Sequence, residues 1–281
     1  MNTRQYLDLF PSIFISQRVN KDYQLTYNYS RRITRPRYES MNPFFFYLDK
    51  YTSAQGNPDL KPQYTNAFEV KQIVKNTYNL VVGYAVTQNF IAEIPEQNNE
   101  NNTTVFKQRN VREFKNISAN LILPVKISSK WDVSNNVSLS HQDYTIELQN
   151  QSLRNEQLFL YAQSTSNIQL PKNLRLELSA AYQGQSAYGL YTIAANWGLD
   201  AGLKRTFLDD KLDLSVNVTD IFRTRRIIGT ANFNGNVNEF DQYFAQQSAR
   251  INLRYRFNKG KQFDAKRRTN SLEELNRAGG N

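Results

Sequence analysis

The sequence predicts an all-β fold: the wall of an antiparallel transmembrane β-barrel, a portion of about 11 strands with short periplasmic turns and long extracellular loops. Three observations predict it. Polar and apolar residues alternate with a period of two, the mark of strands with chemically different faces. Most alternating segments are nine residues or longer, whereas strands of soluble domains centre on about five or six and bilayer-crossing strands need about nine to eleven. The connections also sort by length, short and long in strict succession.

Taken in order, the strands fall at about 10–19, 23–33, 64–75, 78–92, 112–125, 131–144, 158–170, 174–182, 197–207, 212–221 and 248–257. In the second, Tyr23, Leu25, Tyr27, Tyr29 and Ile33 share one parity, and Gln24, Thr26, Asn28, Ser30 and Arg32 share the other. In the fourth, Tyr78, Leu80, Val82, Tyr84 and Val86 alternate with Asn79, Gly83 and Thr87. Trp131, Val133, Val137 and Leu139 define the sixth, Leu174, Leu176, Leu178, Ala180 and Tyr182 the eighth, and Leu212, Leu214, Val216 and Val218 the tenth. No stripe of helical period appears in these segments.

Short turns rich in Asn, Asp, Pro and Ser fall at 20–22, 76–77, 128–130, 171–173 and 208–211. Between them lie long connections at 34–63, 93–111, 145–157, 183–196 and 222–247. Antiparallel strands joined this way place every short turn on one rim and every long loop on the other, as outer-membrane barrels do. The polar parity carries Arg32, Glu69, Lys71, Arg175, Glu177, Asp200, Lys204 and Asp213, too many charges for a dry core. Polar-in, apolar-out strands reconcile a membrane location with a mean hydropathy of −0.66. Tyr23, Tyr64, Tyr78, Trp131 and Trp197 sit near strand ends, where amphipathic rings suit the headgroup level.

Composition narrows the function. With no Cys and one His in 281 residues, thiolate chemistry, disulfides and multi-histidine metal sites are excluded, and no cofactor is implied. The net charge of +10 is spread along the chain without a basic helix or recognition module, so nucleic acid is not an expected partner. Residues 1–10 show no apolar core of a secretory signal, so either the protein is cytoplasmic or this is a piece of something longer. Residues 258–281 read as a polar, mostly disordered periplasmic tail, with a capping box at Ser271 and Glu274 and a helix stop at Gly279.

A set of motifs in order, spanning nearly the whole chain, then becomes specific. The stretch from Tyr29 through Arg32, Arg35 and Pro36 to Tyr38 is followed by Met41, Asn42, Pro43 and Phe44, then Tyr47, Asp49 and Tyr51. Next come Gly56, Asn57, Pro58, Asp59, Leu60, Lys61 and Pro62, then Val218 to Phe222 with Asp220, and a closing Leu253 to Phe257. This set resembles the outer-membrane β-barrel family of TonB-dependent receptors. The resemblance implies a barrel of about 22 strands around a plug, of which residues 1–257 would be the C-terminal half. It also implies a location in the outer membrane of a Gram-negative cell. Its partners would be outer-membrane lipid, the N-terminal barrel half and plug, the TonB system through that plug, and a scarce nutrient to be captured and imported. The plug and earlier strands have no counterpart in these residues, and half a barrel leaves two strand edges whose unpaired groups are costly in hydrocarbon.

The loop 34–63 is the expected ligand-contacting surface, with Tyr38, Phe44, Phe45, Phe46, Tyr47 and Tyr51 dense in rings. The competing reading is a compact loop fixed by Pro36, Pro43, Pro58 and Pro62 whose rings pack on one another. Arg31, Arg32, Arg35 and Arg37, and the second cluster Arg223, Arg225 and Arg226, are open to anionic ligands or to pairing with nearby carboxylates. His141 beside Ser140 and Asp143 is not a hydrolytic triad, because neighbours on a strand face opposite ways and no catalytic residue is expected. The alternative fold is a soluble β-sandwich of carbohydrate-binding type, which leaves the loop sorting unexplained.

Overall fold

The computed structural model describes residues 8–98, 100–148, 151–209, 211–233 and 236–257; the expected tail at 258–281 lies outside them. In chain order the elements begin with β1 (Ser12–Arg18), β2 (Tyr23–Thr34), a single helical turn α1 (Tyr38–Met41), β3 (Phe45–Tyr47) and β4 (Thr52–Gln55). Then follow β5 (Gln63–Val74), β6 (Tyr78–Asn98), β7 (Thr103–Ser128), β8 (Trp131–Leu148), β9 (Gln151–Leu170) and β10 (Leu174–Gln183). The last are β11 (Ser186–Tyr188), β12 (Tyr191–Ile193), β13 (Asn196–Phe207), β14 (Leu212–Thr219), β15 (Ile227–Phe233), β16 (Asn236–Gln242) and β17 (Ser248–Tyr255).

Eleven strands run antiparallel in the order β1-β2-β5-β6-β7-β8-β9-β10-β13-β14-β17, with no crossover. These are the eleven expected strands. Among the described residues β1 and β17 are end strands with one neighbour each. The short turns bring the chain round through left-handed residues: Lys75 with Asn76, Lys172 with Asn173 and Leu208 with Asp209 all have positive φ. Consecutive positive φ values give the twist that two-residue hairpins need.

The ladder registers place the apolar parity in rows. Ile15, Tyr27, Val70, Val82, Ala119, Leu139 and Leu160 are successive partners across seven strands. Trp131, Ile168, Leu176, Leu203, Val216 and Ile251 form a second row. Val82, Leu139, Leu203 and Ile251 are exposed, and no second sheet of the described residues covers this face. That is the reverse of a sandwich, whose apolar faces meet. The opposite face is bonded sideways instead: Asn28 donates to Glu69 (3.1 Å), Thr65 meets Thr87 (2.8 Å), and Asp213 accepts from Thr206 (2.9 Å) and Arg256 (2.8 Å) with Lys204 at 3.3 Å.

On the long-loop side the structure corrects the expected connections at 93–111 and 145–157. Both segments are mostly strand, so β6 to β9 run 21, 26, 18 and 20 residues. At about 3.3 Å per residue, β7 extends roughly 85 Å, well over twice the hydrocarbon thickness of about 30 Å. The alternation had stopped because the environment changes. Asn89, at φ +53°, and Arg112 opposite it are left out of the ladder between the pairs Gln88 with Glu113 and Phe90 with Val111, a local break with no change of register. Beyond it Ala92, Ile94, Val111, Tyr144, Ile146, Leu148 and Ala187 form a buried core, edged by Phe90 and Phe114. Phe114 stacks on Tyr144 with ring centroids 4.2 Å apart. The remaining long connections also carry structure: β11, β12, β15 and β16 build a separate four-stranded sheet from 183–196 and 222–247.

Candidate functional site

The loop 34–63 is organised by its own motif residues. Asn42 Oδ1 accepts the Phe44 N–H at 3.1 Å, and Asn57 Oδ1 accepts the Asp59 N–H at 2.9 Å, two side-chain turns of the kind Asn favours. The two motifs then lock together: Gly56 N–H donates to Asn42 O (2.9 Å), Asn57 N–H to Ser40 O (2.7 Å), and the Gln55 amide to Pro43 O (2.8 Å). A Cβ at Gly56 would lie 2.5 Å from Asn42 O, so only glycine permits this approach. Leu60 is fully buried, and Asn110 of β7 clamps the loop end. Its Oδ1 accepts Lys61 N–H at 2.7 Å while its Nδ2 donates to Lys61 O and to Asn89 O at the ladder break. From Pro62 the chain enters β5, while β4 adds in parallel to the edge of β7.

The six rings do not pack into a private core. Tyr38 is 90% exposed, and Phe44, Phe45, Phe46, Tyr47 and Tyr51 are exposed as well, with only Phe45 and Tyr47 stacked, at 6.2 Å. The structure divides the set. Phe44 and Phe46 line a cavity of about 290 Å³ with Glu39, Glu93, Phe106 and Gln108, whereas Tyr38, Phe45, Tyr47 and Tyr51 lie outside its lining.

Two carboxylates of the β6–β7 hairpin have opposite surroundings. Glu96 binds Lys107 (2.9 Å) and Arg109; against desolvation, those hydrogen bonds hold its carboxyl below the usual range. Glu93 has a single hydrogen bond, from Gln108 at 3.3 Å, and burial raises its pKa. Burial also raises the phenols of Tyr188 and Tyr191, with the Glu93 charge adding to both.

The basic clusters separate. Among the described residues no carboxylate lies within ion-pair reach of Arg31, Arg32, Arg35 or Arg37, and Arg31 instead sits over the Tyr64 ring at 5.5 Å. The second cluster is occupied: Arg225 binds Asp200 (2.8 Å), Arg226 binds Asp241, and Arg223 lies over Tyr243 at 4.9 Å. Asp220, fully buried at φ +47°, is the hub beside them. It accepts the Thr224 N–H (3.0 Å) and the Tyr243 hydroxyl (2.9 Å), and its own N–H donates to Asp200 (2.8 Å). Phe222 leans on Trp197 at 5.6 Å. His141 meets Glu156 at 2.6 Å, and Arg154 bridges Glu156 and Asp143.

The sequence profile of the Outer membrane protein beta-barrel family matches residues 1–255. The chain belongs to that family. Its members' location, the outer membrane, agrees with the exposed apolar rows and the loop sorting. No curated protein matches in sequence. Among solved structures, the siderophore receptor PirA from Pseudomonas aeruginosa is 15% identical with a TM-score of 0.54, covering 83% of this chain and 41% of that one. A mutant of the ferric enterobactin receptor PfeA from Pseudomonas aeruginosa, in complex with enterobactin, gives 15% and 0.54, covering 81% and 36%. FpvAI in its complex with pyocin S2 gives 13% and 0.54, covering 90% and 33%. These likenesses establish the fold, and the chain spans 33 to 41% of the length of these three.

Sequence reasoning found the family's loop motif but missed Phe106, Gln108 and Asn110. Each lies in a segment read as loop, and no local signal ties residue 108 or 110 to residues 42–61. The hint available was Asn89, a residue tolerant of positive φ at the end of a regular alternation.

Proposed function

We propose that this chain is the C-terminal barrel part of a TonB-dependent outer-membrane receptor that captures a scarce nutrient and imports it. Residues outside this chain would supply the remaining barrel strands and the plug, through which the TonB system acts. The chain itself performs no covalent chemistry; its extracellular loops select the ligand and its polar wall lines the passage. Tyr38, Phe44, Phe45, Phe46, Tyr47 and Tyr51 are assigned to the ligand-facing surface, with Phe44 and Phe46 at its cavity. The remaining motif residues, Asn42, Gly56, Asn57 and Leu60 above all, hold that surface in place.

The observation that carries this reading is the pairing of two architectures in one sheet. A lipid-facing band shares the fold of siderophore receptors, and a tall extracellular extension holds a ring-lined cavity. The test is nutrient accumulation by cells bearing or lacking the whole receptor, with and without TonB. The expected result is loss of uptake of one nutrient class in both deletions. Uptake that persists without TonB, or a chain recovered as a detergent-free soluble monomer, overturns the reading.

A further inference from the structure

The cavity between loop 34–63 and the β6–β7 hairpin has a chemistry of its own. Its ionisable lining residues are Glu39 and Glu93, its rings are Phe44, Phe46 and Phe106, and no Lys or Arg lines it. The lack of a counterion at Glu93 is built into the hairpin. Glu93 pairs across the ladder with Gln108, and the flanking cations Lys107 and Arg109 are opposite Ile94 and Ala92. Alternation turns them to the other face, where both bind Glu96. Glu93 is therefore left half-buried, with one neutral donor on Oε2 and Oε1 free of hydrogen bonds among the described residues. A half-buried carboxylate without a counterion is a cost, and a cation from outside relieves it. Rings beside the carboxylate add to the preference, since an aromatic face attracts a cation within about 6 Å of its centre.

We propose that this cavity binds the positively charged group of the ligand, an ammonium or guanidinium on an apolar stem, with Glu93 as counterion and Phe44 and Phe46 against the stem. This rests on the receptor reading and gives it a substrate class: a nutrient or metal chelate that carries a basic group, not an anionic one. Burial raises the Glu93 pKa, as expected for a carboxylate awaiting a partner.

The test uses the whole receptor in detergent and three probes of one length: n-hexylammonium, hexan-1-ol and n-hexanoate, each titrated by calorimetry. Hexylammonium is expected to bind at least tenfold more tightly than hexanol, and hexanoate least. Glu93→Gln is expected to remove that tenfold advantage while leaving hexanol unchanged, which also shows that the variant is folded. If Glu93→Gln does not fold, the order of the three probes on the unaltered receptor decides. Equal binding of the three, tighter binding of hexanoate, absence of hexylammonium binding, or an unchanged preference in Glu93→Gln overturns the proposal. TonB-dependent uptake of an anionic nutrient, insensitive to Glu93→Gln, sinks this inference and leaves the receptor reading intact. Hexylammonium preference without any TonB-dependent uptake does the reverse.

Discussion

The lower and upper parts of β6 to β9 are one continuous ladder, yet they bury opposite things. In the lower part Val82, Leu139 and Leu160 are exposed, and polar Thr87 and Ser140 are among the most buried residues. In the upper part Ile94, Ile146 and Tyr144 are buried. Backbone pairing is the same in both, so the difference comes from the medium. Where lipid is the solvent, exposed apolar side chains cost nothing and polar ones turn to the wet face. Where water is the solvent, apolar side chains must meet one another. The change falls close to the ladder break at Asn89 and Arg112.

The sharpest way to break this comparison is to cut into the upper core. Ile146→Ala should cost about 2 to 5 kcal/mol, because a fully buried branched side chain leaves a cavity. The loss should be local. Amide exchange should rise over β6 to β9 above the ladder break at Asn89, while heat-resistant migration of the barrel in detergent gels stays unchanged. A collapse of the whole barrel would mean that the two parts fold as one unit.

The converse substitution probes the lower part. Val82→Arg or Leu176→Arg should cost about 2 to 4 kcal/mol near the bilayer midplane, as measured by denaturant titration in lipid vesicles. The same change at Asn79 or Ser179, on the other parity, should cost much less. Equal costs on both parities would remove the inside–outside assignment on which the comparison stands.

Legibility follows the same division. The lower part was readable because lipid imposes strict alternation, and each of the eleven strands falls within a few residues of its expected start on the short-turn rim. Strand ends on the other rim were not readable. Tyr144, Ile146 and Leu148 alternate with Thr145 and Glu147, but on the parity opposite to Val137 and Leu139, so the pattern loses phase where neighbouring loops, through Ala187 and Leu190, do the burying. The motif residues of loop 34–63 were visible as a family signature, but their purpose was not. That Asn42 and Gly56 meet is a fact of the folded loop, and the clamp from Asn110 joins residues 49 positions apart. The rings illustrate the limit most plainly: six aromatics within fourteen residues read more readily as a packed loop than as a contact surface, and their exposure in the folded loop speaks against the packing.

The smallest expected effect bears on Glu93 and Glu96, two carboxylates three residues apart in the same extension. Both start from an ordinary value near 4.5 and move in opposite directions. For Glu96 the folded pKa is lowered, so its contribution is present above about 4.5 and is lost as pH falls through the folded value. For Glu93 the folded pKa is raised, so its contribution is present below about 4.5 and is lost as pH rises through the folded value. Local stability of the hairpin should therefore pass through a shallow maximum in mildly acid solution. Glu96→Gln should remove the acid limb and Glu93→Gln the limb toward neutrality, each by about 1 kcal/mol or less, the scale of partly exposed charges. Amide exchange of residues 92–97 and 104–109, corrected for the intrinsic pH dependence of exchange, reads both limbs. If Glu93→Gln lowers protection at neutral pH, then its carboxylate is already satisfied within the receptor, and the division between a carboxylate that holds the hairpin and one held open by it disappears.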